Sequence, residues 1–465
     1  MSEYAGDRPF WRSTLRLAIP VTTQNLLISA FMMINSIMLS NLPDSDALVG
    51  AVGMAGQLGW LLNILIFGIV SGAAVFISQY WGIKDLSGIH RSFGLALICG
   101  AIISFAFTCA GLFLAEPVMR LWLSLNNGND VMAYMDAGTA YLRIVCFGYM
   151  GITFQLVFSA VLRSTEQVKL PMVTGIAAAS TDVLLNYLFI YKLGMGVRGA
   201  ALGTAIACWI SPAALFLLSL KRRNLLIAPL SALFRWPRGF VKSYFSTSLP
   251  VLLNELFWAL GGIGYKLIIS NRDPQFYSAM SVCFSVDGFL FAFYIGIGHA
   301  CTVIVGKSVG AGDRERSLRD ARRFTRIQPA LGVIVGMLLL TMRDVFLLPF
   351  GITEETRAMA RSILMVTAFV TTFRSISFIC IVGIFRASGD TRAGLIYDTA
   401  SVWLFALPVT FFSAYVLRLP LIWVFVSMVF VEEGIKSILC LKRFKSGKWY
   451  MPVTAGARAA AAAEE

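Results

Sequence analysis

Leu249–Gly262 reads LPVLLNELFWALGG, and it breaks the rule of its own surroundings. It opens an apolar run that continues past Ile269, long enough to cross a bilayer, which takes roughly 20 residues. Yet it carries Pro250 and an adjacent amide and carboxylate, Asn254 and Glu255. A carboxylate near the bilayer centre costs about 2.5 to 3.5 kcal/mol on insertion scales, so its default reading is functional. The stretch also has a counterpart. Residues 19–41, IPVTTQNLLISAFMMINSIMLSN, align with residues 249–271, LPVLLNELFWALGGIGYKLIISN, so that Pro20 falls on Pro250, Gln24 on Asn254 and Asn41 on Asn271. The chain reads as one bundle written twice, with an amide-rich helix opening each copy.

Composition sets the class. Of 465 residues, 57% are hydrophobic and 14% charged, with a mean hydropathy of +0.75, whereas a soluble domain carries about 25% charged residues. This composition is that of a multi-pass membrane protein whose partner is the lipid bilayer. The net charge of +14 falls in loops between apolar spans, where it reads as topology rather than nucleic-acid binding. The eight cysteines form no CxxC pair and lie in or at the ends of apolar spans, so they read as small buried hydrophobes. With two histidines in the chain, a His-rich metal site is not expected. The first apolar run, from about Leu17, is longer than the hydrophobic core of a signal peptide and reads as a retained span.

Twelve apolar spans can be marked between residues 15 and 441. Lys and Arg concentrate in the termini and the even-numbered connections, which places both termini in the cytoplasm. The basic connection 221–243 divides the spans into two sets of six and reads as a linker on the anionic cytoplasmic face. The expected domains are an N-lobe at 12–220, the linker, a C-lobe at 244–449, and a low-complexity tail at 454–465. The duplication extends further. Gly68, Gly82 and Asp85 fall on Gly296, Gly310 and Asp313, and Arg163 falls on Arg386. Each six-span copy begins on the same side, so the all-α lobes are expected to relate by a pseudo-twofold along the membrane normal, with a cavity between them.

These motifs name a family. Two six-span halves, the Gly and Asp pattern after spans two and eight, LRSTEQVKLP and FRASGDTRAG after spans four and ten, and GMGVRGAALGTAIA entering span six resemble the multidrug and toxic compound extrusion (MATE) transporters, a bacterial-type branch of the MOP flippase superfamily. The resemblance runs from about Arg12 to Trp449. It implies a secondary active antiporter of the cell (inner) membrane that exports organic cations by alternating access as H⁺ or Na⁺ enters. The coupling ion is then the sole cofactor, and a monomer suffices.

Many relatives carry an Asp in the first span for cation binding; the position resembles Asn35 here. Span five of such relatives shows Asn and then Asp four residues on, while this chain has the reversed pair Asp182 and Asn186, which the i, i+4 spacing puts on one face. Thr204 matches a hydroxyl of the same cluster. The expected cation site is therefore Asp182 as the ionisable centre, with Asn35, Asn186 and Thr204 as oxygen ligands. In the second half, Glu255 resembles a span-seven carboxylate of several branches, and Asn254 to Trp258 is similar to a bacterial NExxW pattern. Glu255 is expected to bind both cation and substrate. Asp287, Arg374, Asn254, Trp258, Tyr294 and Gln24 complete the expected substrate contacts. A Glu255–Arg374 or an Asp287–Arg374 pair would relieve isolated charges. Adjacent Glu432 and Glu433 are expected to face different ways. Lys266, near a span end, is expected to snorkel.

Physically, a carboxylate in an apolar cleft is harder to ionise, so proton and substrate cation can compete for one negative charge. The alternative is an exporter or flippase of an anionic or lipid-linked substrate, which would draw on Arg374, Arg143 and Lys266. An enzyme is not expected, since the chain has no HExxH, GxSxG or Walker loop.

Overall fold

The computed structural model describes residues 8–40, 45–126, 131–350, 352–454 and 456–458; Asn41 and most of the expected tail lie outside them. The described residues form helices and no strand. Besides two short helices, Ala115–Asn126 and Leu230–Phe234, these are, in order, α1 (Arg8–Ser40), α2 (Ser45–Gly82), α3 (Leu86–Phe113), α4 (Met135–Ser164), α5 (Lys169–Lys192), α6 (Gly196–Arg222), α7 (Phe240–Arg272), α8 (Pro274–Gly310), α9 (Arg314–Leu347), α10 (Glu354–Ser388), α11 (Thr391–Val416) and α12 (Leu421–Lys445). Ten are long and apolar enough to cross a membrane by composition alone. The other two carry the polar load: Gln24, Asn25 and Asn35 on α1, and Glu432, Glu433 and Lys436 on α12. Outward side chains such as Ile102, Phe105 and Phe113 are exposed, as a bilayer requires and water would penalise.

Helix ends follow local chemistry. The Asp273 side chain accepts hydrogen bonds from the backbone N–H groups of Gln275 and Phe276, with Pro274 in the first turn of α8. Asp313 caps α9 through Arg316 N–H, and Thr353 caps α10 through Thr356 N–H. Each cap satisfies a donor that the first turn leaves without a partner. Proline sits inside α1, α6, α7 and α9 at Pro20, Pro212, Pro250 and Pro329. Neither Pro20 nor Pro250 opens its helix. α5, α10 and α11 contain π-helical turns at Leu188–Lys192, Ile379–Phe385, Ala400–Ala406 and Phe412–Val416. Such turns recur at functional positions because they re-aim side chains within a continuous helix.

The chain divides into two compact units. One comprises 23–73 and 86–241; the other comprises 1–22, 74–85 and 242–465. The first turns of α1 and the last turns of α2 therefore group with the C-terminal half, where the sequence had been divided cleanly at 221–243. That connection is no free linker either. Its short helix Leu230–Phe234 lies on α3, where Gly94 leaves room for the Leu233 carbonyl, and Trp236 Nε1 donates to Arg91 O at 3.2 Å.

The C-terminal segment also belongs to the fold. Beyond α12 the chain turns at Gly447 (φ +70°) and buries Trp449 against Phe444, with the ring centroids stacked at 5.9 Å. Val453 N–H donates to Gln79 Oε1 at 2.8 Å, and Thr454 Oγ1 donates to Gly310 O at 3.2 Å. Thr454 and Ala457 are buried. These residues had been assigned to a tail on composition alone; the low-complexity text hides a docked segment.

Candidate functional site

Within the unit built from 23–73 and 86–241, four helices converge on Asp182. Asn35 Nδ2 of α1 donates to Asp182 Oδ2, and Asn186 Nδ2, one turn along α5, donates to Asp182 Oδ1 at 3.3 Å. The Thr204 hydroxyl of α6 bonds the same carboxylate and also engages Tyr141 of α4. The packing of α6 on α5 makes this approach possible. Gly199 and Gly203 face Phe189 and Asn186, and a Cβ at Gly203 would strike Asn186 Oδ1. The small-residue spacing thus serves close helix packing. All four residues expected to form this cluster are brought together.

Two oxygens in the cluster stand out. Asn35 Oδ1 and Asn186 Oδ1 are buried and have no hydrogen-bond partner among the described residues. A buried acceptor without a donor costs about 1 to 3 kcal/mol. The amide nitrogens are spent on Asp182, so the amide oxygens and the carboxylate together form a set of hard oxygen donors. Such a set fits a small hard cation. It fits a proton equally, since a protonated Asp182 becomes a donor that an amide oxygen can accept.

The candidates of the second half lie in the other unit and separate into pairs. Arg386 Nη2 of α10 contacts Glu255 Oε1 of α7 at 2.5 Å, with the arginine side chain 4% exposed. Arg374 of α10 pairs with Asp287 of α8, and its guanidinium lies 4.8 Å above the Phe291 ring centroid. Of the two pairings considered for Arg374, the structure forms the one with Asp287. The Glu255 partner is Arg386, which sequence reasoning had used only as a repeat marker. Its counterpart in the repeat, Arg163, donates to Gln24 Oε1 at 2.9 Å.

The remaining substrate candidates scatter. Gln24 is buried, with its amide donating to Pro171 O at 3.3 Å and accepting from Arg163, so it ties α1 to α4 and α5. Asn254 and Tyr294 are buried inside their own unit, while Trp258 is exposed. Lys266 is exposed over the Tyr277 ring at 5.5 Å.

Glu432 and Glu433 correct the expectation that they diverge. Lys436 Nζ lies 3.0 Å from Glu432 Oε1 and 3.5 Å from Glu433 Oε1, and 2.8 Å from Asp398 Oδ1 of α11. Residues at i−4 and i−3 sit on adjacent tracks of the helix surface, so both long side chains reach one lysine. The EExxK spacing carried that signal; neither Lys436 nor Asp398 had been singled out.

Comparison with known proteins follows from this geometry. The family model described as MatE matches residues 20–188 and 250–412, one segment in each half. Probable multidrug resistance protein NorM of Thermotoga maritima is 23% identical over 446 residues, covering 94% of this chain and 93% of the relative. Multidrug and toxin extrusion protein 1 of Oryctolagus cuniculus is 23% identical over 432 residues, covering 90% and 72%. Among solved structures, MATE in complex with MaL6 superposes with a TM-score of 0.83 at 19% identity, covering 94% of this chain and 96% of that one. A MOP superfamily transporter from Pyrococcus furiosus, described as having a binding pocket of reverse polarity, also superposes with a TM-score of 0.83, at 18% identity and the same coverage. At these identities the superpositions speak to the fold: twelve membrane helices.

Proposed function

The chain belongs to the MatE family of membrane transporters, and on that premise we propose that it is a multidrug exporter that moves organic cations out of the cell in exchange for H⁺ or Na⁺. The names of its relatives, multidrug resistance and multidrug and toxin extrusion proteins, support the export of small-molecule drugs. The observation that carries the coupling is the convergence of Asn35, Asn186 and Thr204 on Asp182, with two buried amide oxygens left without donors. Asp182 supplies the negative charge; the amides and the hydroxyl supply neutral oxygens. Binding of a cation there neutralises a buried carboxylate and supplies a partner for the amide oxygens. The gain is realised only in the conformation that assembles the cluster, so occupancy biases one state over another. Alternating access of the two lobes then converts the bias into exchange.

The anionic-substrate alternative draws on Arg374, whose charge is matched by Asp287 and whose face is covered by Phe291. That pairing favours the cationic reading.

The test is ethidium movement in proteoliposomes with a pH gradient and a Na⁺ gradient imposed separately, wild type beside Asp182→Asn. Uphill movement driven by one gradient and lost in Asp182→Asn is expected. If neither gradient moves ethidium, cation exchange is wrong; if Asp182→Asn transports as wild type, the coupling site lies elsewhere.

A further inference from the structure

The Lys436 cluster does not balance. Asp398, Glu432 and Glu433 present three carboxylates to one ammonium, leaving two negative charges in excess. The side chains are 10%, 12% and 12% exposed, and Lys436 is 6% exposed. An uncompensated buried charge carries an effective penalty of several kcal/mol, so two in one cluster call for a counter-charge.

The surroundings supply hydrogen bonds more readily than charge. Tyr265 OH of α7 donates to Glu432 Oε2 at 2.9 Å, and Ser377 Oγ of α10 donates to Glu433 Oε2 at 2.6 Å. Arg374 acts on Glu433 through space, but its direct partner is Asp287 of α8, which consumes its charge. The Cys440 thiol also lies beside Lys436, Asp398 and Glu433, with Cys380 next to it. Asp398 is the least served. Its Oδ1 faces Lys436 Nζ at 2.8 Å, an ammonium that it shares with Glu432 and Glu433.

We infer that the three carboxylates around Lys436 share a bound proton, making this cluster a proton site separate from the Asp182 cluster. A metal cation fits poorly, because the lysine ammonium already occupies the point where the three carboxylates meet. A proton needs no such room. It adds to one carboxylate oxygen from the aqueous phase, converts an acceptor into a donor, and lowers the excess to one negative charge; its release restores the original state. No other reactant is involved. Serving as a coupling site rests on the exporter reading above; holding the proton does not.

The experiment is infrared titration of the purified protein without substrate, following the protonated-carboxyl stretching band, together with potentiometric counting of bound protons. Wild type should show a band that disappears as pH is raised. Asp398→Asn, Glu432→Gln and Glu433→Gln should each abolish the same band and each bind about one proton fewer, since any one amide does what the shared proton does. Three variants that titrate independently, or as wild type, overturn the proposal. So does a wild type lacking the band, a result that requires no variant to fold. Loss of ethidium exchange with the titration intact would sink the exporter reading and leave the proton site standing.

Discussion

Arg386 grips Glu255 at 2.5 Å across α10 and α7, and the relation is written twice in the molecule. Its counterpart Arg163 holds Gln24 across α4 and α1 at 2.9 Å. In both halves the arginine closing the fourth helix ties down a polar side chain midway along the first, although Gln24 falls on Asn254 rather than on Glu255 in the repeat. The difference is charge: the N-terminal tie is neutral on the α1 side, and the C-terminal tie is an ion pair. Removing Arg386 alone strands a buried carboxylate, which costs about 3 to 5 kcal/mol. Arg386→Gln should therefore lower the melting temperature in detergent markedly, and Glu255→Gln in the same chain should restore most of it. A double variant no more stable than Arg386→Gln would show that the arginine acts through packing instead.

Asn35 decides how many charges the Asp182 cluster contains. Asn35→Asp removes a donor to Asp182 Oδ2 and sets a second carboxylate against it. Two adjacent carboxylates do not both ionise readily, so the variant should bind about one more proton than wild type. Proton counting on the purified protein checks this. An unchanged count would mean that the two side chains do not share a site.

Gly203→Ala probes the same cluster from the α6 side. The new methyl would meet Asn186 Oδ1, forcing that amide aside, and overpacking of this kind costs about 1 to 3 kcal/mol. Gradient-driven ethidium movement should fall well below wild type while the protein still purifies as a folded species. Transport at the wild-type rate would place Asn186 outside the coupling machinery.

Much of this was legible in the text of the chain, for physical reasons. Hydropathy marks helices that must satisfy their own backbone in lipid, and the i, i+4 spacing of Asp182 and Asn186 fixes a shared face. Asn35 and Thr204 are located by the resemblance to the family rather than by the repeat. What the text hid were partnerships across helices. Nothing in the spacing of Glu255 points to Arg386 rather than Arg374, since 131 and 119 residues of separation are equally remote. Lys436 was obscured by lying near a basic helix end, where a lysine ordinarily reads as topology. The residues from Thr454 onward were assigned to a tail because composition reports the absence of hydrophobic periodicity but says nothing of a single hydrogen bond such as that from Thr454 to Gly310.

Asp390 gives a pH-dependent signature outside the membrane spans. It lies in the turn between α10 and α11, buried, with Arg443 Nε at 2.8 Å. Burial pushes its carboxyl above the ordinary range, and Arg443 opposes the shift without cancelling it. A carboxyl raised in the folded state binds its proton at higher pH folded than unfolded. Its contribution to stability is therefore present at low pH and lost as pH rises above about 4 through the raised value. Asp390→Asn should remove that slope from a plot of melting temperature against pH. A slope unchanged in the variant would assign it to other groups.

Trp449 tests whether the C-terminal segment is structural. The ring is fully buried and stacked on Phe444, and its neighbour Tyr450 receives Arg314 over its face at 5.7 Å. From there the chain reaches Gln79, whose amide Nε2 donates to Ala387 O at 2.9 Å while its Oε1 accepts from Val453. The segment thus bonds α2 and the end of α8 and packs on Gly389 in the turn after α10. Close approach of the Met451 carbonyl to Gly389, held at φ +95°, leaves no room there for a side chain. Replacing a buried Trp by Ala costs about 3 to 5 kcal/mol, so Trp449→Ala should lower the melting temperature strongly. Truncation after Ser446 should lower it at least as far, because it removes the hydrogen bonds to Gln79 and Gly310 as well. Truncation that leaves the melting temperature unmoved would mean that these contacts add nothing to stability, whatever their geometry.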